Sequence, residues 1–397
     1  MNTSPHPKRT PLREKAHLNN IPRFFPCSLL IILGGYIYVQ RELWLLYRKH
    51  DVRTSFVNSF HLSSELIPEK AEKCAICLWG LPRAFKAIVL PSLVRNVIEP
   101  NVKYNCDYFV HFHDLGFEVA GRSGAGGVVN TSEIYLLQET VEEVARNASM
   151  SVLPTVKFTS DTEENFLNIY RDLMKKLRET KDEKGKLLYF PHADESYHFP
   201  TSMDNIVKMW HSIQSSWNLM QSFEKENGLK FKQVAMIRSD VFYAAPLDIY
   251  NVSDDRTAVI PGFGRYPVSD RMIYGNYNAV KIWASVRFES LDKHVQLMYE
   301  EHYGSGMHSE NFLQMTLLPK IRGSNYSIVE HPSICFLRVR AEHVVQMIDC
   351  DVQALGTIPF KAKSLESKIK HVENILGRSC HGIVPKRTPQ VLNCTIP

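Results

Sequence analysis

Arg238-Ser239-Asp240 closes the apolar run Val234-Ala235-Met236-Ile237, and an acid that emerges from the end of a buried strand can hold a metal-bound diphosphate. A surface ion pair is the plainer reading of the same three residues. Four further clusters carry comparable chemistry. Gly80-Leu81-Pro82-Arg83 ends another apolar run; glycine permits a close turn there, and Arg83 can meet a diphosphate, although a turn with a surface arginine has the same pattern. His111, His113 and Asp114 form an H-x-H-D cluster. Strand alternation puts both histidines on one face beside a single acid, which is few ligands for a metal. Asp270 and Arg271 stand side by side after Pro267, an acid and a base able to serve substrate hydroxyls or phosphate, or simply to cap a loop. Glu310 opens a helix after His308-Ser309, where the helix dipole favours an acid in any case. The glycine-rich stretch 121–127 lacks the Lys-Ser/Thr of a phosphate-cradling loop and reads as a flexible loop.

These clusters need elements to position them. Residues 74–80 read as a buried first strand and a tight turn, followed by helical spacing over 83–97 that Pro91 disturbs. Residues 108–114 alternate as a second strand, and Ser132 is placed to cap a helix over 132–144. A strand over 152–158 and amphipathic helices over 166–177 and 206–223 follow, the last stopped by Gly228. Strands are expected over 233–249, 258–263 and 328–340, an amphipathic stretch over 279–298 and a short helix over 310–318. Strands alternating with helices predict an α/β sheet, at least partly parallel, whose ligand site lies at the carboxyl ends of the strands.

Net charge is +5, but it is unevenly placed. Nine of the 47 Lys/Arg and three of the 42 Asp/Glu fall within residues 1–53, leaving 38 and 39 in the remainder. The body is therefore not a basic nucleic-acid binder. Residues 24–40 carry no charge, and with the following Leu43–Tyr47 they approach the ~20 apolar residues of a spanning helix. Five Lys/Arg precede the segment and favour a cytoplasmic N-terminus. A cleaved signal peptide or a core helix are the rival readings. An anchor would leave the rest of the chain in the secretory lumen, where the Asn-x-Ser/Thr sequons at Asn130, Asn147, Asn251, Asn325 and Asn393 become potential glycan sites. Seven of the eight cysteines follow the anchor and allow up to three disulfides, with Cys380–Cys394 the preferred local pair. Cys74-x-x-Cys77 lacks the context of a redox or zinc motif.

Taken in order, CLWGLPRAF, CDYFVHFHD, MWHSIQSSWNLMQSFEKENG, VAMIRSDVFYAAPLDI, PVSDRMIYGNYNAVKIW and HSENFLQMTLL resemble GT-A-type glycosyltransferases of the nucleotide-diphospho-sugar transferase class. Algal and microbial relatives share the R-x-D strand end and the N/S-D-x-x-x-Y/F-G loop. The resemblance covers residues 73–340. It implies a Rossmann-like GT-A domain with a mixed, mostly parallel sheet flanked by helices. Gly80, Arg83, Arg238, Asp240 and Arg271 would bind a nucleotide-sugar donor, and Asp240 would take the D-x-D position that holds Mn2+ or Mg2+. Asp270 and Glu310 would face sugar and acceptor, one of them as base. Position 238 departs from D-x-D in being arginine, which can neutralise phosphate directly.

The implied layout is a cytoplasmic tail (1–23), a signal anchor (24–40), a stem (41–72), a catalytic domain (73–350) and a C-terminal extension (351–397). This is the plan of a single-pass type II Golgi membrane glycosyltransferase, hexosyltransferase-like, acting on a glycan or glycoprotein acceptor. The alternative from another class is a non-catalytic luminal glycan-binding or scaffold protein with a GT-A-like body. A luminal sulfotransferase would need a hydroxyl residue in the first loop, which Gly80–Phe85 lacks.

Overall fold

A computed structural model describes residues 73–120, 126–191, 197–301, 305–348, 350, 363–383 and 391–394. The chain separates into units of residues 1–68 and 69–397, and every described residue belongs to the second. The expected anchor at 24–40 lies outside the described residues. Among those described, no helix is long and apolar enough to cross a membrane.

The strands are β1 (Cys74–Gly80), β2 (Asp107–Asp114), β3 (Phe117–Glu118), β4 (Gly127–Val128), β5 (Val156–Thr162), β6 (Gln233–Arg238), β7 (Val241–Tyr243), β8 (Thr257–Pro261), β9 (Ile273–Asn276), β10 (Ser327–His331), β11 (Phe336–Arg340), β12 (Val344–Gln346), β13 (His381–Ile383) and β14 (Val391–Asn393). The helices are α1 (85–101), α2 (Leu136–Asn147), α3 (Glu163–Glu179), α4 (Thr201–Asn227), α5 (Tyr277–Ser285), α6 (Arg287–Glu300), α7 (309–323) and α8 (Leu365–Leu376). The central sheet has seven strands in the order β10-β8-β9-β6-β1-β2-β5. Every pairing is parallel except those of β9, which runs against β6 and β8. The fold is thus mixed α/β with a mostly parallel sheet flanked by helices, as the sequence predicts.

β1 is apolar on both faces because both faces are covered. Ile76 and Leu78 point into one core with α1, α2 and the second sheet; Ala75, Cys77 and Trp79 point into the other with α4, α5 and α7. All five are at most 1% exposed. Truncating Leu78 to alanine should cost ~2–5 kcal/mol, the range for emptying a packed core site.

α1 survives its prolines by a local adjustment. It alternates wide π-turns with short α-turns, and the π-turns Phe85–Val89 and Val94–Ile98 each end two residues before a proline, Pro91 and Pro100. α7 repeats the pattern, with a π-turn over Leu313–Leu317 ahead of Pro319. Proline lacks an N–H and crowds the carbonyl four residues back, and a wider turn relieves both problems. α3 starts where Thr162 accepts a hydrogen bond from the Asn165 N–H, and α4 stops at Gly228, which has φ 61°.

Several expected elements divide. The expected strand over 233–249 is two strands in two sheets, β6 and β7, joined by Ser239-Asp240. The expected strand over 328–340 likewise splits at Pro332 into β10 and β11. Residues 279–298 fall on two helices that meet at Val286. Ser132 is not a cap: it lies inside a 3-10 turn over Thr131–Tyr135, and its hydroxyl donates to Asn130 Oδ1.

The second sheet has the order β13-β14-β12-β11-β7. Two of its strands, β13 and β14, come from beyond residue 350 and pair with β12 of the body. Three disulfides, Cys74–Cys106, Cys335–Cys350 and Cys380–Cys394, tie strand ends and loops together. Cys74 therefore pairs with Cys106 and not with Cys77, which is buried against Met220.

Candidate functional site

The parallel strand order β5-β2-β1-β6 reverses direction between β1 and β6, because the chain leaves β1 toward one side and returns on the other. The carboxyl ends of the two strands at such a switch point frame a crevice. β1 and β6 end level there, with Trp79 opposite Arg238. The chain turns at Gly80, which has φ 114°, and its N–H donates to Ser212 Oγ of α4 at 2.9 Å. Arg83 follows at the mouth of α1.

Asp240 lies at the step between the two sheets. Ser239 N–H donates to the Trp79 carbonyl at 2.9 Å, closing the central sheet, and the Asp240 carbonyl accepts from Val339 N–H at 2.9 Å, opening the second. The carboxylate is 1% exposed and meets two guanidinium groups. Arg238 Nε and Nη2 reach Oδ1 and Oδ2 at 2.7 and 2.9 Å, and Arg83 Nη1 reaches Oδ2 at 2.5 Å. Burial opposes ionisation of Asp240, but Arg238, then Arg83 and Arg340, outweigh it and hold the carboxyl well below the usual carboxylate range. Arg83 is gripped on its other side by Glu118 of β3, with Nε–Oε2 at 2.7 Å and Nη2–Oε1 at 2.5 Å. Burial alone would lower its pKa; the bonds to Glu118 and the Asp240 charge raise it instead. Arg238 also lies over the Trp79 ring, its Cζ 5.2 Å from the centroid.

The third cation is Arg340, at the end of β11. Pairing of β11 with β7, which starts one residue after Asp240, brings it in. Arg340 is 6% exposed, its Nε has no hydrogen-bond partner, and Nη2 makes one long contact to Gln346 at 3.4 Å. Burial and the charges of Arg338, Arg83 and Arg238 depress its pKa strongly, with Asp240 opposing. Arg83 and Arg238 thus hold the two carboxylates, and Arg340 adds a third buried positive charge beside them. A buried guanidinium with an idle donor is arranged for a further anion. Sequence reasoning did not single out Arg340 or Glu118.

Asp240, expected to ligate a metal, has both oxygens engaged by guanidinium groups, and its neighbours are cations. The residues present do not fit Mn2+ or Mg2+ there. Among the described residues, the one His/Cys/Asp/Glu group with ligand atoms in mutual reach is elsewhere along the same edge: His111, Asp161 and His211, all within 4.8 Å of one another. His111 Nε2 and His211 Nε2 both meet Asp161 Oδ2, at 3.0 and 2.6 Å. Burial pushes the His111 imidazole down to about 3 despite the Asp161 bond. Asp114, the acid of the H-x-H-D run, is not part of this group; it accepts from Thr131 Oγ1 at 2.6 Å. Ser212, His111 and Asp161 have the order of a nucleophile triad, but Ser212 is fully buried and its Oγ accepts the Gly80 N–H, so no substrate reaches it.

Of the residues expected to form the site, Gly80, Arg83, Arg238 and Asp240 come together directly. Asp270 and Arg271 immediately precede β9, whose first residue Ile273 pairs with Met236 of antiparallel β6. They therefore enter the sheet at the edge where Arg238 leaves it. Asp270 is 7% exposed and partly offsets the burial that brings Arg287 down to about 9. Arg271 packs on the Phe263 ring at 5.5 Å and against Gly264, where a Cβ would come within 2.5 Å of its Nη1. Glu310 stands at the start of α7 beside His308, 3.6 Å from its Nδ1.

No family model matches the sequence, and no curated protein matches it. Among solved structures, the chain is similar to mouse xyloside xylosyltransferase 1 in its apo form, at 11% identity and a TM-score of 0.32, over 65% of this chain and 84% of that one. A likeness at that score is too slight to bear on fold or activity.

Proposed function

We propose that this protein is a glycosyltransferase that binds the diphosphate of a nucleotide sugar at the carboxyl edge between β1 and β6 and transfers the sugar to a hydroxyl of a glycan or glycoprotein acceptor. The observation that carries the reading is the pairing of Arg83 and Arg238 with one buried carboxylate at the switch point of the sheet, with the buried charge of Arg340 acting on the same group. The ordered motifs of the sequence point to the same class. Sugar transfer needs the charge on the leaving diphosphate stabilised and the acceptor hydroxyl deprotonated. Guanidinium groups supply the first without a metal at Asp240. Asp270, at the same edge, is the base in this reading, and Glu310 is the second choice. The Golgi lumen is the proposed compartment and residues 24–40 the proposed anchor, supported by the sequons and the three disulfides.

One feature favours the non-catalytic alternative: Asp240 is saturated by its own arginines. Thermal unfolding with UDP, GDP and ADP separates the two readings. One nucleotide is expected to raise the midpoint by mass action, and Arg83→Ala to abolish the rise. No response to any nucleoside diphosphate would leave the scaffold reading standing.

A further inference from the structure

We propose that His111, Asp161 and His211 form a binding site for one Zn2+ ion, separate from the arginine cluster. Three elements build it. His111 stands on the face of β2 that packs on α4; Asp161 ends neighbouring β5; His211 projects from the middle of α4. The donor set is two imidazole nitrogens and one carboxylate oxygen. Imidazole suits zinc and other borderline transition ions, whereas Mg2+ takes oxygen ligands. Zn–N and Zn–O distances of about 2.0–2.2 Å put tetrahedral donors about 3.3 Å apart. The observed Nε2–Oδ2 distances of 3.0 and 2.6 Å lie about 0.3 and 0.7 Å inside that spacing, so an ion enters by an outward relaxation of side chains, larger at His211 than at His111.

The surroundings orient these donors. His111 Nδ1 lies 2.8 Å from Ser212 Oγ, and His211 Nδ1 lies 3.0 Å from Tyr170 Oη. Each hydroxyl can accept a ring N–H at Nδ1, which fixes the tautomer that leaves Nε2 free to ligate. His113, with its ring centroid 5.6 Å from that of His111, is not a fourth ligand through Nε2, which donates to the Lys208 carbonyl. The Asp161 side chain is 19% exposed and is the open side, where water completes the coordination. Cys77, the free thiol among the described residues, donates a hydrogen bond to Met220 Sδ in the core and plays no part.

The test uses the full chain, stripped with a chelator and titrated with Zn2+ by calorimetry and with Co2+ by visible absorption. One Zn2+ per chain is expected, with d–d bands for Co2+ and no heat with Mg2+. His211→Gln and Asp161→Asn, both at the more accessible side of the group, should each weaken Zn2+ by at least about 10–100-fold, and Tyr170→Phe by a factor within that range. Circular dichroism on each variant keeps loss of metal distinct from loss of fold. Absence of stoichiometric Zn2+ uptake by the wild type overturns the proposal and leaves a hydrogen-bonded His-Asp-His group. Unchanged uptake in His211→Gln and Asp161→Asn overturns it equally, by placing the ion elsewhere.

Discussion

Arg83 and Asp240 are 157 residues apart in the chain and 2.5 Å apart in the fold. Neither is placed by its own neighbours. Arg83 is carried to the contact by the turn at Gly80, and Asp240 by the step from β6 to β7. The two meet because β1 and β6 are adjacent parallel strands of equal reach. A paired charge buried this deeply is stabilising only while both partners are present.

A double-mutant cycle of Arg83→Met and Asp240→Asn, read by urea unfolding, should give a coupling of about 2 kcal/mol. Asp240→Asn should also lower sugar transfer by about 10²-fold, the usual loss when one preorganised electrostatic group goes. Full transfer by Asp240→Asn with a verified nucleotide sugar would make this residue architectural and pass the acid role to Asp270 or Glu310.

Arg340→Met should separate binding from stability. The cation is buried with an idle Nε, so an apolar side chain of similar length should leave the unfolding midpoint unchanged or higher. Affinity for the bound nucleoside diphosphate should fall about tenfold or more, as expected for a lost charge-assisted bond of ~1.5–3 kcal/mol. Equal affinity in calorimetry would remove Arg340 from the anion site.

His294 gives a pH dependence. It is buried between α6 and α7, with Nδ1 2.8 Å from Thr316 Oγ1 and its ring 4.5 Å from that of Phe312. Burial, with a smaller push from His308, brings it from 6.5 down to about 4. Between those values the unfolded chain holds the extra proton. Stability fully present above about pH 6.5 should therefore fall as the pH drops toward about 4, by up to ~3 kcal/mol from this group. Urea midpoints measured across that range should fall less steeply in His294→Gln.

The Cys74–Cys106 bridge closes a segment with a sequence separation of 32 around α1. Replacing both cysteines by alanine should cost ~2–4 kcal/mol by freeing the unfolded chain. Denaturant unfolding of the pair variant against the wild type measures it. No loss would mean that α1 holds β1 and β2 together by packing alone.

The anchor is testable in sealed microsomes. The body should carry glycosidase-sensitive mass and resist protease, while residues 1–23 should be cut from outside. An unglycosylated protein in the soluble fraction would remove both the membrane and the Golgi assignment.

Strands were legible where burial leaves no choice of residue. Cys74–Gly80 and Gln233–Arg238 are apolar because both faces of the sheet are covered; the first is expected at its true bounds and the second at its true start. Strands that change sheets are not legible, since Val241–Tyr243 resumes an apolar run only three polar residues after that of β6 and nothing local says that it pairs elsewhere. Gly80, Arg83 and Asp240 could be nominated because each follows such a run. Arg340 could not: in Phe336–Arg340 it alternates with apolar residues as a solvent-facing charge would, and only the pairing of β11 with β7 turns it inward. The His-Asp-His group is half visible in the sequence: His111 stands out, but the acid next to it in the chain is Asp114. Its partners come from β5 and α4, 50 and about 100 positions away, and no local spacing records that.

The step of two residues between the sheets has a consequence for how this chain can change over generations. Ser239 is tied to one sheet and Asp240 to the other through backbone groups that every non-proline side chain leaves intact. Substitution there alters charge but not path. Insertion or deletion of a single residue would reverse which face each following side chain presents, exchanging the buried surroundings of Val241 and Tyr243 with those of Phe242 and shifting the register with β11 and its arginine. Natural variants of this protein should therefore differ freely in the letters between Trp79 and Val339 that lie on loops, yet keep the count from Arg238 to Val241 fixed.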